Sequence, residues 1–272
     1  MSEQLTFELT DESQVNSSGC TVYRIRATRD IVRWGVARGD LGGWVSTAEL
    51  ENGEARITGD AWVFDNAQIF DNAQVGRDAR VSDDAWVSGN ARVYGMARVY
   101  GSAWIYSDAW VGDGTQVYGN AHVYGNAQLS DDARVYGGAQ VHGNAWVYGN
   151  AQVYGGAQVH GNVSLSGNAW ISGEADISEI WHFITVGPLG SEGATATVFR
   201  TKNGDHSLNL HCWNGKLETL MAEVERRRDE EDCWRRADPA TQAVWLDQYR
   251  LLKQIGETTV SRWAAETTRQ VA

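Results

Sequence analysis

Three histidines and a set of arginines and tyrosines are the residues whose types and spacing can do chemistry here. His142 and His160 share one residue class modulo 18, and His122 falls in the class two before it. Three imidazoles on one face can bind a metal ion, and a single one can serve as a general base. Arg80, Arg98 and Arg134 share another class modulo 18, and Tyr100, Tyr118, Tyr136 and Tyr154 share the class two beyond theirs. Guanidinium groups clamp phosphates and carboxylates, and phenol rings stack on planar bases. Whether any of these residues meet depends on the elements that carry them.

Those elements follow a strict register. Between Ile57 and Ile177 an Ile, Val or Leu stands at every sixth residue, twenty-one times, and two residues before each is Ala at nineteen sites, with Thr115 and Val163 as the exceptions. A six-residue period fits neither a helix nor a simple alternating strand and marks a repeat architecture. The flanking positions must point opposite to the aliphatic residue. Gly-Asn, Asp-Asn, Asp-Asp and Gly-Gly pairs follow and tolerate left-handed or tight turns. Each hexapeptide therefore reads as a short strand plus a corner, with Ala inside the corner.

The pattern in Gly119-Asn120-Ala121-His122-Val123-Tyr124 and Gly149-Asn150-Ala151-Gln152-Val153-Tyr154 resembles the hexapeptide repeat of left-handed parallel β-helices. The resemblance implies three hexapeptides per triangular coil, hence a mostly β, single-stranded left-handed parallel β-helix of about seven coils. At ~4.8 Å per strand the prism is ~33 Å long. Residues 1–54 are expected to form an N-terminal strand and cap. Residues 55–180 form the β-helix, and 181–272 a small C-terminal α+β cap of a hairpin plus two helices. Asn203-Gly204 marks the hairpin. Leu217, Leu220, Met221 and Val224 recur at helical spacing, and Asp238-Pro239 opens a second helix with Val244, Trp245, Leu251, Leu252 and Ile255 as its apolar stripe. A seven-residue step from Leu50 to Ile57, near Asn52-Gly53, is the only irregularity beside the repeat.

A second resemblance spans nearly the whole chain. Tyr23-Arg24-Ile25-Arg26-Ala27, Gly39-Asp40-Leu41-Gly42-Gly43-Trp44-Val45 and the tail Ile184-Thr185-Val186-Gly187-Pro188-Leu189-Gly190-Ser191 resemble a family common in phages and prophages. Its members are often labelled putative transferase or polymer-forming protein by fold alone. Acyltransferases of this fold use a histidine base at a trimer interface and long loops between coils. Here no loop interrupts the repeat, so no residue is assigned as catalytic. Acetyl-CoA enters as a cofactor only if the chain is an acyltransferase, and no metal set is assigned, because His142 and His160 read as substitutes for Tyr in an outward ladder.

Net charge is −12, and only three of 23 basic residues are Lys, all after the repeat. A general nucleic-acid surface is not expected, since phosphate neutralisation needs a basic stripe. No signal peptide or membrane span is read, and Cys20, Cys212 and Cys233 read as free buried thiols of a cytoplasmic protein. The faces are rich in Tyr, Trp and Arg, the composition of association surfaces. The sequence therefore points to a non-enzymatic, phage- or prophage-type trimeric scaffold or binding protein of the host cytoplasm. Arg80, Arg98, Arg134, Tyr100, Tyr118, Tyr136, Tyr154, Trp104 and His122 are its candidate contacts with a host protein or a small nucleotide. Two alternatives stand beside it: capture of a host nucleotide or signalling molecule in clefts between subunits, and acyl-CoA-dependent acetyl transfer.

Overall fold

The computed structural model describes residues 5–271, with side chains described through residue 263. Three strands come first: β1 (Phe7–Val15), β2 (Thr21–Ala27) and β3 (Leu41–Val45). Two-residue strands then recur at hexapeptide steps, from β4 (Trp62–Val63) to β23 (Asp176–Ile177). They stack in parallel into three faces, two of seven and six strands and a third that reaches ten by including β1 and β2. Within the repeat each strand pairs with the one three hexapeptides on, as in Arg98 with Gln116 and Val99 with Val117. The chain is thus a parallel β-solenoid with six turns complete on all three faces and partial turns at the ends.

The interior explains the register. Every aliphatic residue of the six-step series from Ile57 to Ile177 is buried, and so are the small residues two positions before those from Val63 on. Each such Val, Leu or Ile contributes about 1.5–3 kcal/mol relative to exposure. Ala fits because a corner leaves room for one methyl group. Thr115 takes the same site with its hydroxyl buried and unpartnered.

The corners turn through left-handed backbone. Gly119 has φ +70°, and a Cβ there would lie 3.0 Å from the Gly137 amide nitrogen. Asp replaces Gly at several of these sites, and its carboxylate accepts the N–H of the next coil. Asp83 (φ +59°) accepts from Gly101 at 2.8 Å, Asp71 from Gly89 at 3.0 Å and Asp131 from Gly149 at 2.9 Å. The acidic corners are therefore structural caps on a strained turn. One corner also carries amide ladders, with Asn126 donating to Asn144 at 3.0 Å and Asn144 to Asn162 at 2.9 Å.

One stretch departs from the expected regularity. Val45 pairs with Ile69, a step of four hexapeptides where the repeat takes three. The surplus leaves the first coil as a small hairpin in which Glu49 bridges Ala55, and Ile57 re-enters against Val75. A loop does interrupt the solenoid, then, in the coil before the repeat becomes strict. Arg56 fastens it. Its buried guanidinium donates to the Thr47 carbonyl and hydroxyl and to the carbonyls of Ala73 and Asp71, at 2.7–3.1 Å. Burial pushes its pKa down to about 10, which leaves it protonated at neutral pH.

The C-terminal part has an antiparallel sheet, β24 (Phe183–Leu189), β25 (Ala194–Arg200), β26 (His206–Leu210) and β27 (Trp213–Gly215). Against it lie α1 (Leu217–Glu230), a short α2 (Asp232–Arg236) and a long α3 (Pro239–Val271). Asp238 caps α3 by accepting the N–H groups of Ala240 and Thr241. The expected stripe on α3 splits. Leu252 is buried and Trp245 half-buried, but Val244, Leu251 and Ile255 are exposed. Tyr249 and Trp263 bury in their place, and Gly256 lets Leu217 approach so closely that a Cβ would lie 2.7 Å from it. The inward face was chosen by the large aromatic rings and a glycine contact, not by aliphatic spacing. The cysteines are free, but none is buried: Cys20 is half-buried, and Cys212 and Cys233 are exposed. Among the described residues no helix is long and apolar enough to cross a membrane.

Candidate functional site

The outward positions form three surfaces, each set by the pairing register. On the tyrosine face Arg80, Arg98, Gln116, Arg134, Gln152 and Trp170 follow one another in one column. Beside them Tyr100, Tyr118, Tyr136 and Tyr154 stack with centroids 4.8–5.0 Å apart and planes within 5°. The strand spacing dictates that distance, and offset ring stacking tolerates it. The phenols bond sideways into the next coil, Tyr136 to the Gln152 carbonyl oxygen at 3.2 Å. Burial, followed by the neighbouring phenol, raises the Tyr100 and Tyr136 hydroxyls above the ordinary tyrosine range, so these groups stay protonated donors. Arg80 lies over the Phe64 ring at 4.4 Å. Arg80, Ser82, Asp83, Arg98, Tyr100 and Gln116 line a shallow groove of about 260 Å³. The structure thus brings three candidates, Arg80, Arg98 and Tyr100, into one groove. It spreads Tyr118, Arg134, Tyr136 and Tyr154 along the same face.

Trp104 and His122 stand on a different face. Trp86 stacks on Trp104 at 5.2 Å with planes 6° apart, and Trp104 meets His122 at 5.3 Å. The next column runs Tyr106, Tyr124, His142, His160, with centroids 4.6–4.9 Å apart. Imidazole takes the place of phenol in an unbroken stack, and His160 ends it on Asp176 at 2.8 Å. Burial holds His122 below the ordinary histidine range, and burial followed by His160 does the same to His142. Both are therefore neutral rings at neutral pH. Among the described residues no group of three or more His, Cys, Asp or Glu side chains is placed to hold a metal ion.

The third face carries Arg92, Trp110, Gln128 and Trp146 in register. Trp110 lies over Gly112, whose missing side chain makes the room. Trp146 stacks on Tyr148 at 4.4 Å and donates to the Ser130 hydroxyl at 3.2 Å. Trp104 and Trp146 are 41% and 43% exposed, so two of the three faces present a bare indole to solvent.

Two cavities lie away from the residues expected as contacts. The hairpin that leaves the first coil overhangs the third face and borders an open cleft of about 440 Å³. There Tyr94 donates to Gln74 at 2.8 Å and Gln74 to the Glu54 carboxylate at 3.0 Å. Gln74 and Asn52, by hydrogen bonding, hold the Glu54 carboxyl below its ordinary range. The other, of about 300 Å³, opens where the C-terminal sheet meets the tyrosine face, between Gln152, Trp170, Glu192 and His211. The broken step beside Asn52-Gly53 signals the first. Nothing local signals the second, which exists only because two distant segments dock.

Four overlapping or separate stretches, residues 85–101, 91–107, 127–143 and 145–161, match a family model described as the YdcK β-solenoid repeat. No curated protein matches the chain. The matched stretches lie wholly within the stacked coils, and the chain is accordingly a parallel β-solenoid repeat protein, similar in these coils to the YdcK repeat.

Proposed function

We propose that this protein is a non-catalytic scaffold or binding protein that works through its outward faces, assembles as a homotrimer and acts in a host cytoplasm. Its resemblance to phage- and prophage-encoded proteins belongs to this reading. The observation that carries it is the pair of faces on which stacked rings end in exposed indoles, at Trp104 and Trp146. Flat apolar surface of this kind is a liability in water unless something covers it, and Tyr, Trp and Arg are the residues enriched where proteins associate. Closed cyclic symmetry is the common way to cover such a face with copies of the same chain. Native mass spectrometry of protein taken directly from a lysate tests the assembly. The expected result is a trimer that falls apart in Trp104→Ser or Trp146→Ser. A wild-type monomer without any bound partner would sink the proposal.

The groove at Arg80, Arg98 and Tyr100 favours a second reading, capture of a small nucleotide against this face. Both guanidinium groups are free of carboxylate partners among the described residues, and Tyr100, the end of the phenol ladder, offers a stacking surface. Titration with acetyl-CoA and with free nucleotides, wild type against Arg98→Gln, separates the possibilities. Turnover of acetyl-CoA would replace the binding readings with acetyl transfer. The absence of any binding at millimolar ligand would remove both nucleotide capture and acetyl transfer.

A further inference from the structure

The junction between the solenoid and the C-terminal sheet holds a set of groups that neither the solenoid faces nor the cap requires. Strand Trp170–Ile171 is the last of the tyrosine face, and its backbone is fastened to the cap. The Trp170 N–H donates to the Thr197 hydroxyl at 3.0 Å, and Asn209 donates to the Trp170 carbonyl at 2.8 Å. These bonds leave the indole free to form a wall. The opposite wall is His211, at the turn between β26 and β27. Its ring lies 6.5 Å from Trp170, centroid to centroid, with planes 20° apart.

That spacing is wider than in the solenoid ladders, where neighbouring rings lie 4.6–5.3 Å apart, and close to the 6.4 Å of Trp234 and Tyr249 in the cap core. A third ring between the two needs ~3.5 Å on each side, so its entry takes an outward shift of His211. His211 can supply it, because the turn is exposed. The turn is also strained. His211 holds φ +54°, a left-handed conformation that a residue with a Cβ adopts at a cost. Glycine would be the unstrained choice there.

The floor and sides of this cavity are polar. Asn150 donates to Asn168, which leaves the Asn150 carbonyl oxygen and the Asn168 amide hydrogens for another partner. The Gln152 oxygen accepts from Tyr136, which leaves its amide as a donor. Glu192 offers a carboxylate, 3.7 Å from Arg227. The column then continues from Trp170 through Gln152 to Arg134, two strand spacings or ~10 Å away. Arg134 is exposed and has no ion pair among the described residues.

We infer that this junction binds a nucleotide: the base slides between Trp170 and His211, Asn150, Asn168 and Gln152 meet its edge and the sugar hydroxyls, and Arg134 takes the phosphate. The order of the groups along the column matches the order of parts in a nucleoside monophosphate. Stacking and cation pairing are the contacts that such ligands reward. This site is separate from the groove at Arg80 and Arg98 and deepens the nucleotide-capture reading without sharing its residues.

Isothermal titration of the full chain with adenosine 5′-monophosphate, adenosine and ribose 5-phosphate tests it. Adenosine monophosphate should bind, adenosine about tenfold more weakly, and ribose 5-phosphate without detectable heat. His211→Gly removes one wall and relieves the strained φ, so binding should disappear while the unfolding temperature holds or rises. His211→Asn, which tolerates the same φ, is the second variant. Arg134→Gln should bring the monophosphate down to the affinity of adenosine and leave adenosine unchanged. The inference is overturned if none of the four common ribonucleoside monophosphates binds, or if either His211 variant binds as wild type does. Loss in Arg98→Gln with retention in His211→Gly would place the ligand in the other groove, which ends this inference and leaves that reading standing.

Discussion

The two ends of the prism meet the same problem, an open strand edge, and solve it differently. At the N-terminal end β3 joins the stack in parallel, and β2 and β1 add to it antiparallel, so one face simply continues as a hairpin. The new outer edge, β1, carries Glu8, Asp11 and Glu12, charges that discourage another strand from pairing. Ile31 and Val36 then cover the core from below, with Trp34 donating to the Asp60 carbonyl. At the C-terminal end no strand continues the stack on the tyrosine face. A separate sheet lies across the last turn and bonds the Trp170 edge with side chains, Thr197 and Asn209, adding backbone bonds only beyond it, where Ala175 bridges Thr201 and the Lys202 N–H donates to the Glu174 carbonyl, while Phe199 enters the solenoid core. Backbone closure yields a smooth surface. Side-chain closure leaves gaps, and the Trp170–His211 cavity is one of them. A regular solenoid acquires cavities where its regularity stops.

Removing residues 181–272 should have the largest effect, because it bares the last coil. Exposed edges of this kind pair with other chains. Light scattering should show growing assemblies instead of the defined species of the full chain; a truncated protein that keeps the stoichiometry of the full chain would break the comparison. Next comes Arg56→Ala at the other end. It leaves the Thr47, Asp71 and Ala73 carbonyls without their charged donor, and hydrogen bonds to charged groups are worth about 1.5–3 kcal/mol each. We expect a loss of about 3 kcal/mol in urea unfolding, together with exposure of the 46–56 hairpin to protease.

Asn209→Ala should cost less, about 1–3 kcal/mol, by orphaning the Trp170 carbonyl. Its signature is faster amide exchange in the last coil than in the first. Equal protection at both ends would show that the cap does not depend on this contact. The smallest effect is pH-dependent. His142 sits below the ordinary histidine range, by burial first and by His160 second. Its neutral form is the one that the fold favours, so its contribution is complete above ~6.5 and is lost as pH falls through the lower folded-state value. Thermal melts from pH 7.5 to 5 should show a modest decline. His142→Tyr, which continues the stack from Tyr124, should flatten that decline, with the remainder assigned to His122.

Much of this was legible in the residues. Within the repeat the hexapeptide step placed the interior aliphatic residues and the small residues of the corners, and the step of three hexapeptides placed Tyr100, Tyr118, Tyr136 and Tyr154 in one stack. The acidic corners were visible as positions but not as devices. That Asp83 accepts the Gly101 N–H follows from a left-handed turn whose geometry a composition rule does not contain. The α3 stripe misled because Val244, Leu251 and Ile255 have the right spacing and the wrong side, while Tyr249, Gly256 and Trp263 decide the packing.

The coil follows from the order of residues, because a period-six pattern with a small residue in each corner has one economical way to bury its aliphatic side chains. That order also determined which outward residues share a column. The interruptions of the faces take shape in the folded chain: the hairpin fastened by Arg56, and the cap that brings His211 over Trp170 from a separate part of the chain. The physical reason is range. Periodicity encodes contacts between neighbours one coil apart, whereas a docked domain is held by non-repeating side-chain bonds such as Asn209 to Trp170, which leave no periodic trace in the chain.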